Sequence, residues 1–137
     1  MRYIGIDYGT KRVGIAHSDE GGTFVFPDTT LDPKEALIYL REKAEKENEL
    51  EFVIGIPGTA TESQNPVERA IRFFAETLSE STGREVHFVE EAFTSFEAHG
   101  RKGKEQHHAR QSHAPQGENV DAKAAALLLE RFLAKKK

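Results

Sequence analysis

Apolar positions fall in short alternating or continuous runs through most of the chain and settle into a helical stripe near its end. Arg2 to Tyr8 (RYIGIDY) and Arg12 to Ser18 (RVGIAHS) are short, β-rich and separated by Gly9-Thr10-Lys11, a pattern that predicts a hairpin. Thr23 to Phe26 follows the Gly21-Gly22 turn and predicts a third strand extending the meander. The period then changes. Asp32-Pro33-Lys34-Glu35 combines an N-cap residue, a proline at the first helical position and a glutamate at the third, so a helix is expected from Pro33 to about Asn48. Phe52 to Ile56 is a continuous apolar run too short for a helix and suits a central strand covered on both faces. Asn65-Pro66-Val67-Glu68 repeats the capping pattern and opens a second helix ending near Gly83. Val86 to Val89 predicts a fifth strand, and Thr94-Ser95-Phe96-Glu97 the start of a short third helix. Gly100 to Gly117 is polar, basic and unpatterned, which predicts a long loop. The last helix, about Val120 to Ala134, carries an apolar stripe of Ala124, Ala125, Leu128 and Phe132, with Asp121 on the same stripe. The order βββ-α-β-α-β-α-α predicts an α/β fold. Its mixed sheet would have an antiparallel meander at one edge and helices packed on its faces.

Composition narrows the function classes. The 137 residues suit one compact domain, 1–137, and 37% hydrophobic with 31% charged residues gives a modest core under a heavily charged surface. The longest apolar run, Ala124 to Leu129, is far short of the roughly 20 residues a bilayer span requires. Met1-Arg2-Tyr3 leads straight into strand-like sequence rather than a signal peptide, so a cytoplasmic protein without a membrane partner is expected. The absence of cysteine removes disulfides, thiolate nucleophiles and cysteine-type zinc sites together. A metal here must sit on oxygen or imidazole.

The net charge of −4 argues against a general nucleic-acid coat protein, yet it is unevenly spread. Residues 1–100 carry 10 basic and 19 acidic side chains, a net of −9, whereas residues 101–137 carry 9 and 4, a net of +5. A polyanion would be drawn to the C-terminal quarter. Lys135-Lys136-Lys137 reads equally well as a solubilising tail.

Several positions could carry chemistry. Asp7 ends an apolar strand, where open α/β sheets place ligand-binding groups; it also suits a turn cap before Gly9-Thr10. Glu90-Glu91 ends the fifth strand, and adjacent carboxylates on an extended chain point to opposite sides, so only one can share a cleft with Asp7. Asp121, aligned with the core stripe of its helix, is desolvated unless paired, or is simply favourable in a first helical turn. Were the three to converge, their mutual repulsion would call for a divalent cation, and hard oxygen ligands favour magnesium or manganese over zinc. One or two such ions suit phosphodiester hydrolysis. His99, His107, His108 and His113 mix with Arg101, Lys102, Lys104 and Arg110. That segment reads as a flap over a nucleic-acid backbone, as an incidental metal-binding pair at His107-His108, or as a polar loop of no specific role. Gly55-Ile56-Pro57-Gly58 could present amides to a phosphate but is equally an ordinary strand-to-helix turn.

Read together, Ile6-Asp7-Tyr8-Gly9-Thr10-Lys11-Arg12-Val13-Gly14-Ile15-Ala16, then Gly55-Ile56-Pro57, Glu90-Glu91 ahead of Thr94-Ser95, and Val120-Asp121-Ala122-Lys123-Ala124-Ala125 resemble the YqgF family. These ribonuclease H-like proteins are associated with Holliday-junction resolution and with the 5′ end of pre-16S ribosomal RNA. The resemblance spans nearly the whole chain, and the first block is its most specific part. It implies a ribonuclease H-like sheet, a metal-dependent nuclease acting on precursor ribosomal RNA or branched DNA, and Asp7, Glu91 and Asp121 as the catalytic acids holding Mg2+ or Mn2+. Lys11 and Arg12, with Arg101, Lys102, Lys104 and Arg110, would contact the substrate. Resolution of a junction would call for a homodimer, whereas end processing would not. Two departures bear on substrate contact: Ala92 stands where the family usually has an arginine, and Thr59 and Glu62 stand where it commonly has an asparagine and a glycine. Two other classes remain open at this point. One is a non-catalytic nucleic-acid or ribosome-assembly module; the other is an ATP-binding half-domain, since a strand followed by Asp-x-Gly-Thr is similar to the first phosphate loop of actin-like ATPases.

Overall fold

The structure, a computed structural model, describes residues 1–57, 66–90 and 114–136, with side chains from residue 121 onward in the last segment. Five strands and three helices occur among them in the order β1 (Arg2–Tyr8), β2 (Val13–Ser18), β3 (Val25–Leu31), α1 (Pro33–Lys46), β4 (Leu50–Ile56), α2 (Pro66–Thr82), β5 (Val86–Glu90) and α3 (Ala114–Lys136). The strands form one sheet in the order β3-β2-β1-β4-β5. β1–β2 and β2–β3 are antiparallel, while β1–β4 and β4–β5 are parallel. The expected α/β fold and its mixed sheet are borne out.

Strand alternation divides the sheet into two dry faces. Ile4 and Ile6 of β1, Val13 and Ile15 of β2 and Phe52, Ile54 and Ile56 of β4 pack with Ala36, Leu40 and Ala44 of α1 and Ile71, Phe74 and Leu78 of α2. Their odd-and-even partners look the other way, where Tyr3, Val53 and Val89 meet Leu128, Leu129 and Leu133 of α3, and Ala16 meets Ala125 and Ala126. β4 is thus buried on both faces, as its continuous apolar run requires.

Several boundaries differ from the expected ones, and three have a clear physical reason. The third strand begins at Val25 and runs to Leu31, later and longer than the expected Thr23–Phe26. The Asp19 carboxylate accepts hydrogen bonds from the Thr23 and Phe24 N–H groups at 2.7 and 3.0 Å, which commits those residues to the turn and lowers the Asp19 pKa. Pro27 and the polar run after it mask the strand, and Pro27 is tolerated because β3 is an edge. Helix α1 follows its expected start, with the Asp32 side chain accepting from the Glu35 N–H at 2.8 Å, but it stops at Lys46. Helix α3 begins at Ala114, six residues before its expected start, with Pro115 in its first turn, so residues 114–117 are helix rather than loop. The helix expected at Thr94 and the rest of the basic loop lie outside the described residues. No described helix is long and apolar enough to cross a membrane.

Candidate active site

Asp7 is the next-to-last residue of β1. Tyr3 and Gly5 face α3 whereas Ile4, Ile6 and Tyr8 face α1 and α2, so alternation puts the half-buried Asp7 on the α3 side. Its partner across the hairpin is Gly14. A Cβ on Gly14 would collide with the carbonyl oxygen of Asp121, and one on Gly5 would lie 2.8 Å from the Ala125 carbonyl oxygen and 2.9 Å from the Leu129 Cβ. These two glycines let the backbone of α3 lie directly on the hairpin. The consequence is local and chemical: Asp121 is set down beside the strand position that faces Asp7.

An ion pair lies on this corner of the molecule. The Arg12 Nε lies 3.2 Å from Asp121 Oδ2, with Arg12 47% and Asp121 29% exposed. Arg12 comes from the β1–β2 turn and Asp121 from α3, so the pair ties the hairpin to the helix. Lys11 is exposed on the same turn. Ala125 and Leu128, one and two turns on from Asp121, are buried, so Asp121 does lie on the core stripe, as its spacing predicted.

Among the described residues, Glu90 is not gathered here. Glu90 pairs with Ile56, whose side chain is in the core under α1 and α2, so Glu90 faces away from α3. It is also two strands from Asp7, about 10 Å by strand spacing. Of the two adjacent glutamates, Glu90 is therefore the one that does not share a face with Asp7. Glu91, Ala92, Arg101, Lys102, Lys104, Arg110 and the four histidines of the basic loop lie outside the described residues.

The donor chemistry at Asp7 and Asp121 fits a hard cation, because both supply carboxylate oxygens from rigid elements and no sulfur competes. Among the described residues, the group that already meets cation distances lies elsewhere. Glu51, Glu85 and His87 hold one ligand atom each within 4.8 Å of one another. His87 Nε2 is 2.7 Å from Glu51 Oε1, and its ring packs against Phe132 with centroids 5.0 Å apart. These donors are compatible with a divalent cation. They sit, however, at the opposite end of the parallel strands, since Glu51 is in register with Tyr3 and not with Asp7. No local pattern marks this group, since Glu85 lies just before β5, His87 within it and Glu51 on β4, 34 residues earlier in the chain.

Comparison with known proteins shows the family of the chain, over a span that includes both ends of the sheet. Residues 1–135 match the model of the RuvX family, described as Holliday junction resolvase. The chain belongs to the RuvX family. A protein named "Putative pre-16S rRNA nuclease" from Oleidesulfovibrio alaskensis is 35% identical over 136 residues, covering 97% of this chain and 92% of its own. Another of that name from Nitratidesulfovibrio vulgaris strain Miyazaki F is 38% identical over 101 residues, covering 72% and 71%. The resemblance read from the sequence is borne out, and with RuvX membership stands the expected enzyme class, a hydrolase of the nuclease type.

Proposed function

We propose that this RuvX-family chain is a metal-dependent endonuclease that cuts phosphodiester bonds in structured nucleic acid, with the 5′ leader of precursor 16S ribosomal RNA as its substrate. Asp7 and Asp121 are its catalytic acids. The observation that carries the reading is their juxtaposition through Gly14, in a chain whose family model spans residues 1–135. Glu91 is proposed as the third acid on the family resemblance, and because Glu90, its neighbour, faces away from α3. The names borne by the relatives favour precursor RNA over the four-way DNA junction.

In this reading the carboxylates of Asp7 and Asp121 hold one or two Mg2+ or Mn2+ ions, and the chemistry supplied by such a cation when bound is activation of water and stabilisation of the leaving oxygen. The protein contributes rigidity. Asp7 is fixed by the β1–β2 ladder, one residue past the β1–β4 ladder, and Asp121 by a helix that Gly5 and Gly14 let pack directly on the sheet and that Leu128, Leu129 and Leu133 anchor there. Arg12 and Lys11 on the hairpin turn are placed to take the phosphate backbone, together with Arg101, Lys102, Lys104 and Arg110 of the basic segment.

The test is cleavage of a labelled panel comprising the precursor leader, a four-way DNA junction, duplex DNA and single-stranded DNA, with Mg2+, Mn2+ or EDTA. Cleavage of the leader that requires metal is expected. Cleavage of the junction alone would transfer the activity to branched DNA. Salt-sensitive binding without turnover would instead identify a non-catalytic module and direct attention to Ala92.

A further inference from the structure

Resting on the proposed metal site, we infer that Arg12 is a built-in counter-ion that occupies Asp121 before metal arrives and is handed over to the nucleic-acid phosphate when the site loads. The geometry that supports this is specific. Arg12 approaches Asp121 Oδ2 through Nε at 3.2 Å, from a different element and across the sheet–helix seam. Without a cation, Asp7 and Asp121 bring two negative charges to one corner, and repulsion there disfavours the contact of α3 with the hairpin. The guanidinium offsets that charge in the empty state. Its charge is permanent, so it cannot leave by losing a proton; it can leave only by finding another anion.

A divalent cation and the guanidinium compete for the same carboxylate and repel each other. A phosphodiester resolves the competition because it offers a guanidinium bidentate acceptors in place of the carboxylate. Metal and nucleic acid therefore assist each other's binding, and by linkage the assistance is reciprocal. The pair is half-exposed, with water screening both members. Its competition is accordingly worth a modest factor rather than an absolute block. Such a device keeps the corner assembled without metal and biases loading toward the substrate-bound enzyme.

The experiment is a Mn2+ titration of the full chain without nucleic acid, following the electron paramagnetic resonance of free Mn2+. Arg12→Gln is expected to bind Mn2+ about two- to fivefold more tightly than wild type, with Arg12→Lys in between. A structural role for Arg12 would move the affinity the other way, since a displaced Asp121 binds metal worse. Unchanged or weaker binding in a folded Arg12→Gln overturns the inference while leaving the metal site standing. Asp121→Asn serves as the control for the site itself: if it binds Mn2+ as wild type does, the proposed site fails and the inference with it. A second arm needs no metal. In EDTA, Asp121→Asn releases the guanidinium and is expected to tighten binding of a short labelled RNA duplex. In an Arg12→Gln background the same change is expected to give a clearly smaller gain, and equal gains in both backgrounds would overturn the handover.

Discussion

A methyl group on Gly14 has nowhere to go, because the space it would take is filled by the carbonyl oxygen of Asp121. Elsewhere in a strand, glycine to alanine is stabilising, since it removes freedom from the unfolded chain. Here the sign reverses. Gly14→Ala is expected to cost about 1–3 kcal/mol, the usual range for forcing extra volume into a packed contact. Urea unfolding of wild type and variant measures it; a variant as stable as wild type would mean that α3 does not sit on the hairpin as described. The same residue shows what was legible beforehand. Asp7 and Asp121 could be singled out from a strand end and a helix stripe, because each departs from its local pattern. Their proximity could not, since it depends on a close approach made by residues with no side chain.

At the scale of elements, the end of α1 and the start of β4 are held by one side chain reaching back from beyond α2. The Arg84 guanidinium donates to the carbonyl oxygens of Glu47 at 2.6 Å, Ala44 at 2.7 Å and Asn48 at 2.9 Å. Ala44 and Glu47 lie at the C-terminus of the helix, where carbonyls lack partners within it. Arg84→Ala is expected to cost about 2–4 kcal/mol, the range for losing charge-assisted hydrogen bonds and stranding their acceptors. Arg84→Lys is expected to restore little, because an ammonium cannot span the fork. Thermal or denaturant unfolding checks both, and full rescue by lysine would reduce the clamp to simple charge. This capping arrangement left no trace in local sequence, as its partners are 36 to 40 residues apart. By contrast, β1, α2 and the N-terminus of α1 were readable almost to the residue, because their signals are local: alternation, proline at the first turn and a capping aspartate. β3 departs from its expected bounds because Asp19 holds Thr23 and Phe24 in the turn and because Pro27 and the polar Asp28-Thr29-Thr30, none of them fully buried, carry no apolar alternation. The start of α3 was misjudged because Pro115, Gly117 and Asn119 carry loop-like preferences inside a helix.

For the molecule as a whole, the two ends of the sheet hold two different sets of cation donors. Asp7 and Asp121 lie where β1 ends, on the seam with α3, whereas Glu51, Glu85 and His87 gather where β4 and β5 begin. The second set brings three ligand atoms within 4.8 Å of one another. The first has the hard-oxygen chemistry and the neighbouring guanidinium, and its Asp7 falls in the first and most specific block of the family resemblance. In the function proposed above, the first end cuts nucleic acid and the second does not. The direct measurement is the rate of Mn2+-dependent cleavage of the preferred substrate by wild type, Asp7→Asn and His87→Ala, each shown to be folded by circular dichroism. Asp7→Asn is expected to lose on the order of 100-fold or more, as for a site deprived of a metal-holding group, while His87→Ala keeps cleavage near the wild-type rate. Undiminished cleavage by Asp7→Asn, or its loss in His87→Ala, would overturn this assignment and move the catalytic centre to the other end of the sheet.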